Sequence, residues 1–268
     1  MAASPPLRKA LAIMAVEFSN MRAYGLDFAV SLLSFGAYLV VTFFLWSAVY
    51  ANSSIEVMPF AVLMSYYLFA FIAADVTGNR KVAHVMSDDV KHGDLTIVLV
   101  RPAGYFFGAY FGRMTHFLFF LLVLSVTALV ASFFIPVVFQ SDALHIALFV
   151  LTLFLGFTLN FCLFFALGCI AFWTENNFGI IRSFAHFSHL FSGYMVPLAF
   201  FGGMVGTIVS LLPMKYFVSF PVSIMIGRVT LSEVLPNMAI ELVWIAALFL
   251  AGQFLWRRGM RRYTAPGA

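Results

Sequence analysis

Charge is scarce in this chain. Only 10% of its 268 residues are Asp, Glu, Lys or Arg, where a soluble domain carries about 25%. Hydrophobic residues make up 63%, more apolar surface than a water-soluble fold of this length has room to hide, so lipid is the solvent for part of it. Cysteine is nearly absent. Cys162 and Cys169 stand seven apart in one apolar run, about 10 Å along a helix axis, too far for a disulfide; they read as packing residues. There is no Gly-x-x-x-x-Gly-Lys-Ser/Thr phosphate loop. No Ser–His–Asp, paired-carboxylate or zinc-hydrolase arrangement supports catalysis. The N-terminus lacks the short apolar core and small-residue site of a cleavable signal.

What is present is a series of long apolar runs, with cores at 28–50, 59–74, 114–135, 143–172, 178–200 and 237–256. A spanning helix needs about 20 predominantly apolar residues, and most runs reach that length; the second does so if it begins near Ile55. Of 15 Lys and Arg, all but Lys215 and Arg228 fall in segments that one topology places on the same side. The loop with Arg80, Lys81, Lys91 and Arg101 and the tail with Arg257, Arg258, Arg261 and Arg262 are therefore assigned to the cytoplasm. The expectation is an all-α integral membrane protein of six spans with both termini inside. The pI near 9.2 does not indicate nucleic acid, because the basic residues flank spans and meet anionic headgroups.

Residues 5–25 carry one apolar stripe, Leu7, Leu11, Met14, Phe18 and Met21, the pattern of a helix lying in the membrane interface. A helix packed on a partner would show the same stripe. In the polar connection 75–104, Ser87 is placed as an N-cap with Asp88 and Asp89 in the first turn, and Gly93 as the stop. The stretch 201–235, broken by Gly202, Gly203, Gly206, Pro213, Pro221 and Gly227, reads as two short helices that dip into the outer leaflet. Non-helical backbone at that depth must be covered by protein or line a wet cavity.

Ionisable residues within spans are candidates for function because charge in lipid is expensive. Glu241 lines an outer pathway, pairs with Arg228, or reaches headgroup water. Asp27, Asp75 and Arg113 read as interfacial anchors. His186 and His189, three apart, permit two-point metal binding, yet no third ligand is placed to complete a site. The 34 Phe residues line a greasy pathway or face lipid.

The run Gly93-Asp-Leu-Thr-Ile-Val-Leu-Val-Arg-Pro102 resembles the Gly-x-Leu-x-x-x-Leu-x-Arg-Pro signature after the second span of type-2 ABC exporter permeases, in the branch of six-span subunits of about this length. Phe191-Ser-Gly-Tyr-Met-Val-Pro-Leu-Ala-Phe-Phe201 is similar to that branch's Gly-x-x-x-Pro-Leu pattern. Leu212-Pro213, Phe220-Pro221-Val222 and Ile226-Gly227 continue it. Ala171-Phe172-Trp173 and Met21-Arg22 fit the same layout. The chain departs from the family with Thr96 where relatives have Asp, and with Gly202 where they have Pro.

The resemblance implies a permease subunit of an ATP-driven exporter, working as a dimer with separate ATPase chains that bind the ATP and Mg. Two different permeases side by side are expected ahead of two copies of one. This chain itself is expected to hold no cofactor or metal, and to sit in a bacterial inner membrane. A coupling helix, Met86–His92, would seat in the ATPase. The implied contacts are Met86, Ser87, Asp88, Asp89, Val90, Lys91, His92, Gly93, Asp94 and Arg101, with Glu175, Asn176 and Asn177 in a second loop and Glu241 and Arg228 along a possible pathway. The layout expected is interfacial helix 5–25, spans at 28–74, coupling loop 75–104, spans at 105–200, outer segment 201–235, last span 236–256 and tail 257–268. The cargo class is open: an amphipathic small molecule, a lipid or a peptide, or a glycan precursor if the pathway is polar. An ion-coupled transporter using Asp75 or Glu241, or a membrane scaffold, would present the same hydropathy.

Overall fold

The computed structural model describes residues 6–23, 25–52, 57–96, 104–133, 137–140, 142–174 and 177–263. Arg101 and Pro102, Glu175 and Asn176, Ile55 and the tail after Tyr263 lie outside the described residues, as do the side chains of Leu7, Met21, Arg22 and Asp27. The described residues are helical, with no strand among them. In chain order the helices are α1 (Pro6–Ala23), α2 (Gly25–Asn52), α3 (Phe60–Thr77), α4 (Arg80–His92) and α5 (Tyr105–Ala131). They continue as α6 (Ala143–Gly168), α7 (Phe178–Phe191), α8 (Gly203–Leu211), α9 (Ser219–Met225) and α10 (Leu231–Met260). Short 3₁₀ turns follow α6 at Cys169–Phe172 and flank α8 at Leu198–Phe200 and Pro213–Tyr216.

Among the described residues, five helical stretches are long and apolar enough to cross a membrane: Leu33–Asn52, Phe60–His92, Tyr105–Val130, Ala143–Phe172 and Leu231–Met260. The expected 178–200 span differs. Its helix, α7, has 14 residues, a rise of about 21 Å against a hydrocarbon core of about 30 Å. The chain leaves the helix at Ser192 and turns at Gly193, whose φ of +87° suits glycine. Ser192 takes two of the helix's last carbonyls, its N–H donating to Ser188 O at 2.8 Å and its hydroxyl to His189 O at 3.1 Å, and three tyrosines bond the carbonyls of the turn that follows. Tyr66 donates to Gly193 O at 2.7 Å, Tyr67 to Met195 O at 3.1 Å and Tyr38 to Tyr194 O at 3.1 Å.

Helix α6 is the centre of the packing, with α3, α4, α9 and α10 all against it. In lipid such association rests on close contact more than on water exclusion, and small residues supply it. A Cβ at Gly156 would stand 2.5 Å from the Tyr216 carbonyl oxygen, and one at Gly252 would stand 3.1 Å from the Phe165 ring. The core fills with Leu153, Phe157, Phe161 and Tyr216, all fully buried. The thiols of Cys162 and Cys169 are buried and unpaired.

Helix α1 packs along α5. Phe18 meets Phe119 edge-on at 6.2 Å, and the Glu17 side chain lies beside Gly112. Leu11 stays 57% exposed, while Phe18 of the same stripe and Glu17 beside it turn to the protein. At the other end, 201–235 does contain two short helices. They differ in environment: α8 is mostly exposed, with Met204 and Leu211 at 79% and 69%, whereas Val222 and Ile224 of α9 are enclosed.

Ser87 is not an N-cap. Helix α4 starts at Arg80, and the Ser87 hydroxyl donates to Ala83 O at 2.6 Å in mid-helix. The break that starts α4 is Gly78-Asn79, where the backbone is extended at Gly78. The stop at Gly93 falls as expected, in the left-handed conformation at φ +84°.

Candidate functional site

The joint between α3 and α4 is polar and closed. Asn79 has no exposed surface, yet nearly every polar group it carries is used. Its side-chain amide donates to Thr77 O at 2.9 Å and to Phe157 O at 3.0 Å. Its backbone N–H donates to Asn160 Oδ1 on α6 at 2.9 Å. Its Oδ1 accepts from Arg113 Nε on α5 at 3.2 Å, and Arg113 Nη2 donates to Gly78 O at 2.8 Å. A broken helix inside apolar surroundings is tolerated only when side chains take over the freed backbone groups, and Asn79, Asn160 and Arg113 do so here. Asp75 lies one turn earlier, with Oδ2 buried and without a hydrogen-bond partner. Arg113 belongs to this elbow and Asp75 lies at its edge. His189 lines a small cavity on its far side with Asn160 and Ser192. No cluster with metal-binding geometry occurs among the described residues.

Beyond the elbow, α4 lies tightly on α6. Built at Gly168, a Cβ would be 3.1 Å from Ala83 Cα and 3.2 Å from Met86 Cβ, so any side chain there would have to push α4 back by a few tenths of an ångström. The ten expected coupling residues therefore separate. Met86 and Ser87 are buried against α6, and Val90 is half-buried. Asp89 accepts a hydrogen bond from the Tyr105 hydroxyl at 2.8 Å. Arg80, Lys81, Val85, Asp88, Lys91 and His92 form the exposed face, followed by exposed Asp94. Thr96 bonds locally, its hydroxyl donating to Gly93 O at 2.8 Å.

Asn177 is also enclosed rather than displayed, at 1% exposure. It nevertheless stands near α4: Asn177, Trp173 and Thr174 share a cleft of about 420 Å³ with Ser87, Val90 and Lys91. The end of α4 and the turn after α6 thus face one another, and His84 stacks on Phe178 at 5.2 Å.

Glu241 and Arg228 are not brought together. Arg228 Nη2 donates to Val57 O at 2.8 Å. The Glu241 carboxylate is fully buried in the protein, and neither oxygen has a hydrogen-bond partner. Its neighbours are Lys215 and Tyr216. Burial holds the Lys215 ammonium below the usual lysine range, with Glu241 opposing that shift. Burial, then the Glu241 charge, pushes the Tyr216 phenol up to about 12. Lys215 donates to Asn237 Oδ1 at 3.1 Å, and its ammonium lies 4.8 Å from the Tyr216 ring centre.

Residues 36–267, most of the chain, match the family described as ABC-2 family transporter protein. The chain belongs to that family. No curated protein matches it as a relative. It is a multi-pass ABC-2 permease, the membrane component of a transporter, and in this family the ATPase is a separate partner. In an ABC-2 permease the exposed face of α4 and the elbow that anchors it become the features of interest. The sequence marks the end of α4 at Gly93 but not its start at Arg80, and it does not single out Asn79, Asn160, Gly168 or the role of Arg113. The available signals were a Gly-Asn pair closing an apolar run and one Asn inside a span.

Proposed function

We propose that this permease is the transmembrane subunit of an ATP-driven exporter, and that α4 carries the ATPase's movement into the bundle. The observation that supports this most is mechanical. The exposed face with Arg80, Asp88 and Lys91 sits on a helix wedged against α6 at Gly168 and tied to α3, α5 and α6 through Asn79. A push on such a helix reaches three spans without first bending a loop. The cleft beside Lys91, walled by Trp173 and Asn177, is the natural second contact.

In this reading α4 and the α10 end face the cytoplasm, in keeping with their positive charge. The 178–200 segment completes a sixth crossing as a short helix capped inside the membrane, and α8 and α9 re-enter from the outer side. Two permease subunits, two different chains ahead of two copies, enclose the pathway with two ATPases that carry the ATP and Mg. An amphipathic small molecule, lipid or peptide suits the Phe-rich surfaces, and a glycan precursor would need a more polar path.

The test is charge reversal on the exposed face. Asp88→Lys leaves the Tyr105–Asp89 bond in place, and a lone exposed charge contributes about 0–1 kcal/mol to stability. Reversing a docking charge weakens association far more. The variant should insert normally, lose co-purifying ATPase and lose nucleotide-dependent transport. Wild-type retention of the ATPase would remove α4 from the contact. Transport driven by an ion gradient without nucleotide would turn attention to Glu241 and the secondary-transporter reading.

A further inference from the structure

The C-terminal end of α10 and the turn that follows it gather four exposed arginines, Arg257 and Arg258 in the helix and Arg261 and Arg262 in the turn. None has an ion-pair partner among the described residues. One or two cations complement a helix C-terminus. Four, arranged as the i, i+4 pairs Arg257/Arg261 and Arg258/Arg262, exceed that need, because like charges at this spacing repel. An anion shared between the members of each pair relieves the repulsion and uses the planar fork of each guanidinium.

The surroundings restrict the anion. The four arginines line an open cleft of about 740 Å³ with Trp173 and Phe254. Phe254, Leu250 and Val243 continue the exposed face of α10 away from the arginines, at 59%, 65% and 68% exposure, with the spacing of one helix face. The cleft therefore has a cationic mouth, a tryptophan wall of the kind found at membrane interfaces and an apolar run leading into the bilayer. Free phosphate or an acidic protein surface would use the mouth and leave the run empty.

We infer that this cleft is a binding site for an anionic phospholipid with two phosphates in its headgroup, each held by one arginine pair, with an acyl chain along Phe254 and Leu250. The purified permease is placed in vesicles of phosphatidylcholine alone, with phosphatidylglycerol, or with cardiolipin at matched total charge, and lipid retained after extraction is measured by mass spectrometry. Cardiolipin should be retained in preference to phosphatidylglycerol. The combined variant R257K, R258K, R261K and R262K keeps all four charges, and with them the orientation of insertion, but has no guanidinium forks; retention should fall about tenfold. Equal retention of the two lipids, or undiminished retention by the lysine variant, overturns the inference. So does a lysine variant that keeps lipid but loses its ATPase, which would make the cluster a protein-docking surface.

Discussion

Arg113 on α5 donates to the carbonyl of Gly78 at 2.8 Å, in the two-residue gap where α3 has ended and α4 has not begun. The same guanidinium reaches Asn79 Oδ1, so one side chain from a neighbouring span fixes both residues of the gap. The gap is consequently a fixed angle between two rods.

Asn160→Ala removes the acceptor for the Asn79 backbone N–H. Orphaning a buried donor costs about 1–3 kcal/mol. Thermal unfolding in detergent should show the loss, and ATPase stimulation by transported substrate should fall with it. A variant as stable and as well coupled as wild type would show that the elbow is not held by this bond.

Gly168→Val should push α4 off α6, because its Cβ alone would meet Ala83 and Met86. Overpacking of this kind costs about 1–3 kcal/mol. Adding Met86→Ala should recover part of the loss, since Met86 is one of the crowded groups. A double-mutant cycle measures the recovery; strict additivity would place the strain elsewhere.

Tyr66→Phe leaves the Gly193 carbonyl without its donor in a fully enclosed site, and about 1–3 kcal/mol of stability should go. Tyr67→Phe, at a bond that is only part-buried, should lose less. Equal effects of the two substitutions on the unfolding midpoint would contradict the assigned burial.

Lys215→Met tests the sign of a titration. The folded state holds the lysine pKa below its ordinary value, so folding favours the neutral amine. The penalty is present in full below the folded pKa and fades as pH rises through it toward the unfolded value. The substitution should therefore stabilise the protein most at neutral pH, with the gain shrinking in alkali. A gain that grew with pH would mean that the bond to Asn237 and the Glu241 charge outweigh burial.

Much of this architecture can be read from the residues. Apolar length alone places five crossing helices, and the turn chemistry of Gly93 marks the end of α4. The failures have physical causes. Ser87 looks like a cap because its type suits caps, but the amphipathic period already runs through Val82 and Met86, and that packing starts the helix at Arg80. The 178–200 run is apolar enough to span, yet it ends as a helix at Phe191 because hydroxyls distant in sequence satisfy the carbonyls after it. Position in a motif singles out Met86–Asp94 as a block and does not reveal that Met86 and Ser87 are buried. The partnership of Asn79, Asn160 and Arg113 joins three separate segments and is invisible in any local window.

The tyrosine caps over residues 193–195 also set an order of assembly. A helix that stops within hydrocarbon with bare carbonyls is costly by several kcal/mol per group. In the six-crossing reading proposed above, the carbonyls of residues 193–195 would sit at that depth, and the hydroxyls that donate to them belong to α2 and α3, which leave the ribosome first. In that reading, the ceiling over α7 is already in the membrane by the time α7 is made. A chain that received the same helices in another order, by circular permutation for instance, would have to insert α7 unfinished and wait.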